Sequence, residues 1–131
     1  MYAPDLVDTA RVAFGHGTLT APHRTERAEN PLCGDEIELD IADDHERVTG
    51  LAHRTTGCTF TLASASLLAQ AVRGRTIIQA RELAETVRRT LPTQAALPVE
   101  VEMLTAVRMY PARIRCALLP WDALLRALDK V

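Results

Sequence analysis

Aromatic side chains are scarce in this 131-residue chain, with one Trp, two Tyr and two Phe. Any core must therefore be filled by Leu, Val, Ile and Ala. A surplus of basic charge is also missing. Fifteen Lys and Arg stand against seventeen Asp and Glu, a net charge of −2, and the pI is near 6.1. That balance argues against electrostatic binding to nucleic acid or to an anionic membrane surface. No run of about 18 apolar residues exists, so no transmembrane helix is expected. The first eight residues carry Asp5 and Asp8 and lack a basic segment followed by an apolar one. No secretory signal is expected there, and the expected compartment is cytoplasmic. Cysteines number only three, and a reducing compartment disfavours disulfides. Each thiol is then a buried bystander, a metal ligand or a nucleophile.

What is present suits one globular domain spanning residues 1–131, with 47% apolar residues and enough length to bury a core without covalent staples. Leu6, Val7, Ala10 and Phe14 recur at helical spacing and predict a helix over 3–14. Residues 21–30 are polar and contain Pro22, a loop or an edge strand. Ile37, Leu39 and Ile41 alternate with Glu36, Glu38 and Asp40, which predicts a strand over 35–41. A charged turn follows, and then a weaker strand over 47–53. The small and apolar run 60–72 reads as a buried helix ending near Arg73-Gly74. Ala80, Leu83, Ala84, Val87 and Leu91 mark one face of a helix over 77–91. A linker between Pro92 and Pro98 leads to a helix over 99–107, with Val99, Met103 and Ala106 inward. Tyr110-Pro111 ends it. An amphipathic helix over 120–130 starts at Pro120, where a missing N–H costs little. Strands early and helices late predict an α+β fold, a small antiparallel sheet of about three strands covered by helices.

The neighbours of each cysteine carry the chemistry. In Pro31-Leu32-Cys33-Gly34-Asp35 a thiol and a carboxyl lie two residues apart around a glycine, which lets the backbone turn tightly. Zinc accepts both donor types. Taken alone, the tripeptide is a weak signal that reads first as a turn before a strand. Cys58, twenty-five residues on, follows Gly57 at the predicted start of a helix, where free N–H groups favour a thiolate. Cys116 sits beside Arg113 and Arg115, which would lower a thiol pKa. Either could instead be a small buried residue.

Together the motifs resemble the IscU/SufU/NifU-N family of iron–sulfur cluster assembly proteins. Asn30-Pro31-Leu32-Cys33-Gly34-Asp35 looks like the family's first cysteine motif. Gly57-Cys58-Thr59 followed by Leu62-Ala63-Ser64-Ala65-Ser66-Leu67-Leu68 resembles the second. Pro111-Ala112-Arg113-Ile114-Arg115-Cys116-Ala117-Leu118-Leu119-Pro120-Trp121 resembles the third. The order is right, and the likeness covers roughly residues 28–131. The IscU branch resembles a scaffold for a [2Fe–2S] cluster, with a histidine just before the third cysteine and a Leu-Pro-Pro-Val-Lys chaperone segment. Here Arg115 replaces that histidine, and a protonated guanidinium is no metal ligand. Tyr110-Pro111-Ala112-Arg113-Ile114 replaces the chaperone segment. A basic residue before the third cysteine, and the 58-residue gap between Cys58 and Cys116, are closer to the SufU branch.

The resemblance implies zinc held by Cys33, Asp35, Cys58 and Cys116, or alternatively an iron–sulfur cluster on the same ligands. It implies a pyridoxal-phosphate-dependent cysteine desulfurase as partner, apo iron–sulfur proteins as recipients, and Cys33 as the residue that accepts persulfide sulfur. The chain would be a sulfur carrier rather than a stand-alone enzyme. A third implication is a diverged member that keeps zinc for structure and acts in protein interactions. Asp35, a weaker ligand than a thiolate, would make the site labile. The stretch Gly15-His16-Gly17-Thr18-Leu19-Thr20-Ala21-Pro22-His23-Arg24 departs from the family's Asn-Pro-Arg-Asn pattern. Among His16, His23, His45 and His53, only His53 lies near a cysteine in sequence.

Overall fold

The computed structural model describes residues 4–130. Ala3, the expected first residue of the N-terminal helix, lies outside them, as do Met1, Tyr2 and Val131. Helix α1, Pro4–Val12, buries Leu6 and Ala10. Three strands follow, β1 (Arg24–Asn30), β2 (Asp35–Asp43) and β3 (Val48–Thr56). They form an antiparallel meander with β2 in the centre. The polar stretch 21–30 thus contains an edge strand, with Pro22 outside the ladder, where a missing N–H does no harm. Helices α2 (Thr59–Val72), α3 (Ile77–Thr90) and α4 (Ile114–Leu128) complete the α+β fold.

The alternation in β2 sets the faces. Ile37, Leu39 and Ile41 are fully buried, on the side that receives α2 and α4. Asp35 continues the same odd-numbered series. Asp40, on the opposite face, is expected to be solvated and is instead fully buried. The loop after α1 crosses that face and donates Leu19 N–H to Asp40 at 3.2 Å. Arg54 pairs with both carboxylate oxygens at 2.9 Å, and Thr25 Oγ1 donates at 2.7 Å. A buried charge needs such a complete set of partners.

Helix α2 is apolar nearly all round and runs through the interior, touching α1, β3 and α4. Its alanines and serines let these neighbours come close. Ser64 Oγ donates to the Ala117 carbonyl at 2.5 Å and accepts from Trp121 Nε1 at 3.0 Å, which fastens α2 to α4. Helix α3 begins with a capping box between Thr76 and Gln79.

Two sequence expectations fail in the C-terminal third. Residues Val99–Met109 form 3₁₀ helix interrupted at Val101 rather than an α-helix. Its period of three turns Val101, Leu104 and Val107 inward. Val99 is 78% exposed, and Met103 and Ala106 are only partly covered. Helix α4 starts at Ile114, not at Pro120, which lies inside it. The missing Pro120 N–H leaves the Cys116 carbonyl without its intrahelical donor. The earlier start brings Cys116 into the first turn of α4.

Candidate metal centre

Three chain segments meet at one end of the sheet. The first is the turn between β1 and β2. Cys33 N–H and Gly34 N–H both donate to the Asn30 carbonyl, at 3.2 and 2.8 Å. Gly34 has φ +76°, a left-handed conformation that a side chain disfavours. The turn closes with Asn30 paired opposite Asp35. It leaves Cys33 exposed and Asp35 buried at 5% exposure.

The second segment is the start of α2. Cys58 is its N-cap residue, in extended conformation and half-buried. Its N–H donates to Asp35 Oδ2 at 3.5 Å. Gly57 passes so close to Asp35 that a Cβ there would lie 2.8 Å from the carboxyl carbon. One turn into the helix, Thr61 Oγ1 donates to Asp35 Oδ2 at 2.5 Å and lies 3.5 Å from Cys58 Sγ. The third segment is the first turn of α4. It presents Cys116, fully buried, with its sulfur 3.4 Å from that of Cys33.

The ligand atoms of Cys33, Asp35 and Cys116 all lie within 4.8 Å of one another. Donors held about 2.0–2.3 Å from a common tetrahedral ion sit roughly 3.3–3.8 Å apart, and the 3.4 Å between the Cys33 and Cys116 sulfurs lies in that range. The Cys58 sulfur is not part of that close group, although its backbone N–H reaches Asp35.

Burial alone would raise the Asp35 carboxyl. Hydrogen bonds from Thr61, the Cys116 thiol, Cys58 N–H and the Cys33 thiol outweigh it and hold the group below the usual carboxylate range. The Cys116 thiol is pushed well up, first by burial and then by its hydrogen bonds with Cys33 and Asp35 and the nearby charge on Cys58 and Asp35. The expected lowering by Arg113 and Arg115 is therefore overridden, because Cys116 faces the interior while both arginines face out. A cation at this point would reverse the balance by stabilising the thiolate.

Arg115 lines a cleft with Leu32 and Cys33, outside the ligand group. His53 does not reach the cysteines. Its ring nitrogens bond Thr55 Oγ1 at 2.8 Å and the Phe14 carbonyl at 2.9 Å, so it fixes the loop after α1 to β3. His45 projects from the charged β2–β3 turn into solvent. Sequence reasoning passed over Thr61. The available signal was its place three residues after an N-cap cysteine, where a side chain turns back toward the cap.

The family model for the NifU-like N-terminal domain matches residues 14–130. The chain is 31% identical over 135 residues to the iron–sulfur cluster assembly scaffold protein IscU of Streptococcus pyogenes serotype M1, covering 99% of this chain and 84% of that protein. It is 32% identical over 105 residues to the zinc-dependent sulfurtransferase SufU of Bacillus subtilis strain 168, covering 77% of this chain and 71% of that one. A crystal structure of an iron–sulfur cluster assembly scaffold protein for the SUF system from Fervidobacterium islandicum AW-1 superposes with a TM-score of 0.87. It has 26% identity and covers 97% of this chain and 96% of that one.

Proposed function

The chain belongs to the NifU-like N-terminal domain family, that of IscU and SufU, and from this membership we propose that it serves iron–sulfur cluster assembly as a zinc-dependent sulfur acceptor. Cys33, Asp35 and Cys116, completed by Cys58, would hold the ion. The ion would supply a positive charge that keeps buried thiols ionised. The observation that carries the reading is the contrast within the group. Cys116 is sealed in the interior and Asp35 is pinned, whereas Cys33 is exposed on a glycine turn.

The Cys33 thiolate is therefore the group that can meet a partner. It attacks the outer sulfur of a persulfide on a pyridoxal-phosphate-dependent cysteine desulfurase. The partner's S–S bond breaks and its cysteine leaves as thiolate. A new S–S bond forms on Cys33, and the persulfide proton stays with the transferred sulfur. Exchange of this kind follows thiolate access and nucleophilicity. Apo iron–sulfur proteins are the eventual recipients.

The test is a desulfurase assay with cysteine, with this protein added, followed by mass spectrometry of the Cys33 peptide. We expect faster turnover and one extra sulfur on that peptide, both lost in Cys33→Ser. No rate increase, or sulfur acceptance by Cys33→Ser, would refute the reading.

A second reading is a scaffold for a transient [2Fe–2S] cluster, favoured by the near-equal identity to the IscU relative. Against it, Arg115 stands at the position before Cys116 and outside the ligand group. Anaerobic reconstitution with iron and sulfide separates the two. Visible charge-transfer bands that need Cys33, Cys58 and Cys116 would favour the scaffold.

A further inference from the structure

Asp35 is the least expected member of the ligand group, because a single carboxylate among thiols has to be held in place by something. Its Oδ2 accepts from Thr61 Oγ1 at 2.5 Å. The same hydroxyl lies 3.5 Å from Cys58 Sγ. Thr61 is fully buried on α2, a helix fixed on several sides by α1, β3 and α4, so its hydroxyl has little freedom to leave. One buried hydroxyl thus touches the carboxylate and the cysteine that bracket the edge of the site.

We propose that Thr61 is a positioning residue of the metal centre, whose hydroxyl, its one hydrogen donated to Oδ2, orients Asp35 toward the ion. The inference rests on the reading of Cys33, Asp35, Cys58 and Cys116 as zinc ligands and adds a fifth residue that does not itself bind. Threonine has two χ1 rotamers open to it in a helix, and the bond to Asp35 Oδ2 selects the one that aims the hydroxyl at the site. With Oδ2 engaged by Thr61, Oδ1 is the oxygen left to ligate. The carboxylate then offers one donor rather than two, which suits a four-coordinate ion. Asp35 is in consequence a fixed ligand rather than a labile hinge, and the freedom to exchange passes to Cys33.

The experiment measures zinc affinity by competition with a chromophoric chelator, and the cobalt(II) d–d and sulfur-to-cobalt bands, for wild type, Thr61→Val and Thr61→Ser. Partners that orient a ligand are typically worth about 10–100-fold in metal affinity. We expect Thr61→Val to weaken zinc by that factor and to change the d–d envelope, and Thr61→Ser to restore both. A purely structural role would lower urea stability without altering the cobalt spectrum. Should Thr61→Val not fold, Thr61→Ala removes the same hydroxyl without new bulk and carries the test. Wild-type zinc binding with an unchanged affinity and spectrum in the hydroxyl-free variant overturns the role of Thr61 alone. Failure of the wild type to take up zinc overturns the metal reading and this role with it.

Discussion

Gly57→Ala isolates the packing that holds Asp35. The Gly57 backbone is not in the left-handed region, so alanine meets no conformational penalty there. The whole effect comes from the new methyl, which would stand 2.8 Å from the Asp35 carboxyl carbon, 3.0 Å from Oδ2 and 3.1 Å from Cβ. The carboxylate cannot simply swing away, because Thr61 Oγ1 and Cys58 N–H hold it. Overpacking of this kind costs about 1–3 kcal/mol. Replacing glycine stabilises by roughly 0.4–1 kcal/mol through the unfolded chain. The net loss is then about 1–2 kcal/mol in the metal-free protein. The assay is urea unfolding in chelator and reductant, followed by fluorescence of Trp121, the single tryptophan. The same substitution is made in an Asp35→Ala background, where only the Cβ contact remains. There the penalty should fall close to zero, a coupling of about 1 kcal/mol or more between the two positions. Equal cost in both backgrounds would show that Gly57 answers to something other than Asp35 and would refute the reasoning.

Three further outcomes follow from the buried polar groups. Arg54→Ala leaves Asp40 charged and buried without its bidentate partner, and unfolding by urea at pH 7 should show a loss near the lower end of about 3–5 kcal/mol, Arg54 being partly exposed. Arg54 holds the Asp40 carboxyl below the usual carboxylate range. Its stabilisation is therefore present above the unfolded value of about 3.9 and disappears as pH falls beneath it, so Arg54→Ala should flatten the acid limb of the stability curve. Burial pushes the His53 imidazole down, so folding favours the neutral ring, and its contribution is full above about pH 6.5 and is lost as pH falls below. NMR titration should give His53 a midpoint below that value; a midpoint at or above it would contradict the buried, doubly bonded ring. Ser64→Ala strands the buried Trp121 indole N–H, at about 1–3 kcal/mol for an unsatisfied group, measured by the shift in urea midpoint.

The sheet was legible because alternation over 35–41 has one structural solution, and because Asp35 falls on the buried face once Ile37 does. The cysteine motifs suggested one site, and of their members Cys33, Asp35 and Cys116 converge, whereas the Cys58 sulfur stays outside the close group. Other features depended on tertiary partners. Asp40 sits where a solvated acid belongs, and only the loop from residues 15–23 crossing above it makes it internal. Pro120 reads as a helix start, because sequence alone does not reveal that α4 tolerates a proline inside its span. Over 99–107 the two candidate periods differ by little more than half a residue, which decides between Met103 and Leu104 as the buried side chain. Thr61 carried one signal, its place three residues after Cys58, but the hydroxyl residues of a small-residue helix look alike until Asp35 is seen beside one of them.

The two sulfurs that meet at 3.4 Å come from positions 83 residues apart, Cys33 at the first turn of the sheet and Cys116 in α4. A ribosome releases Cys33 long before Cys116, and no partial chain that lacks α4 can close the pair. The loop to be closed is long, and contacts of such sequence separation form late and slowly. Emerging chains thus have their two early cysteines available before the third arrives. The centre is complete only when the C-terminal helix has docked on α2 through Ser64 and Trp121. Closure of the ligand group is on this account a report that α4 has been made and docked, and a chain truncated before α4 cannot give that report however well its sheet is formed.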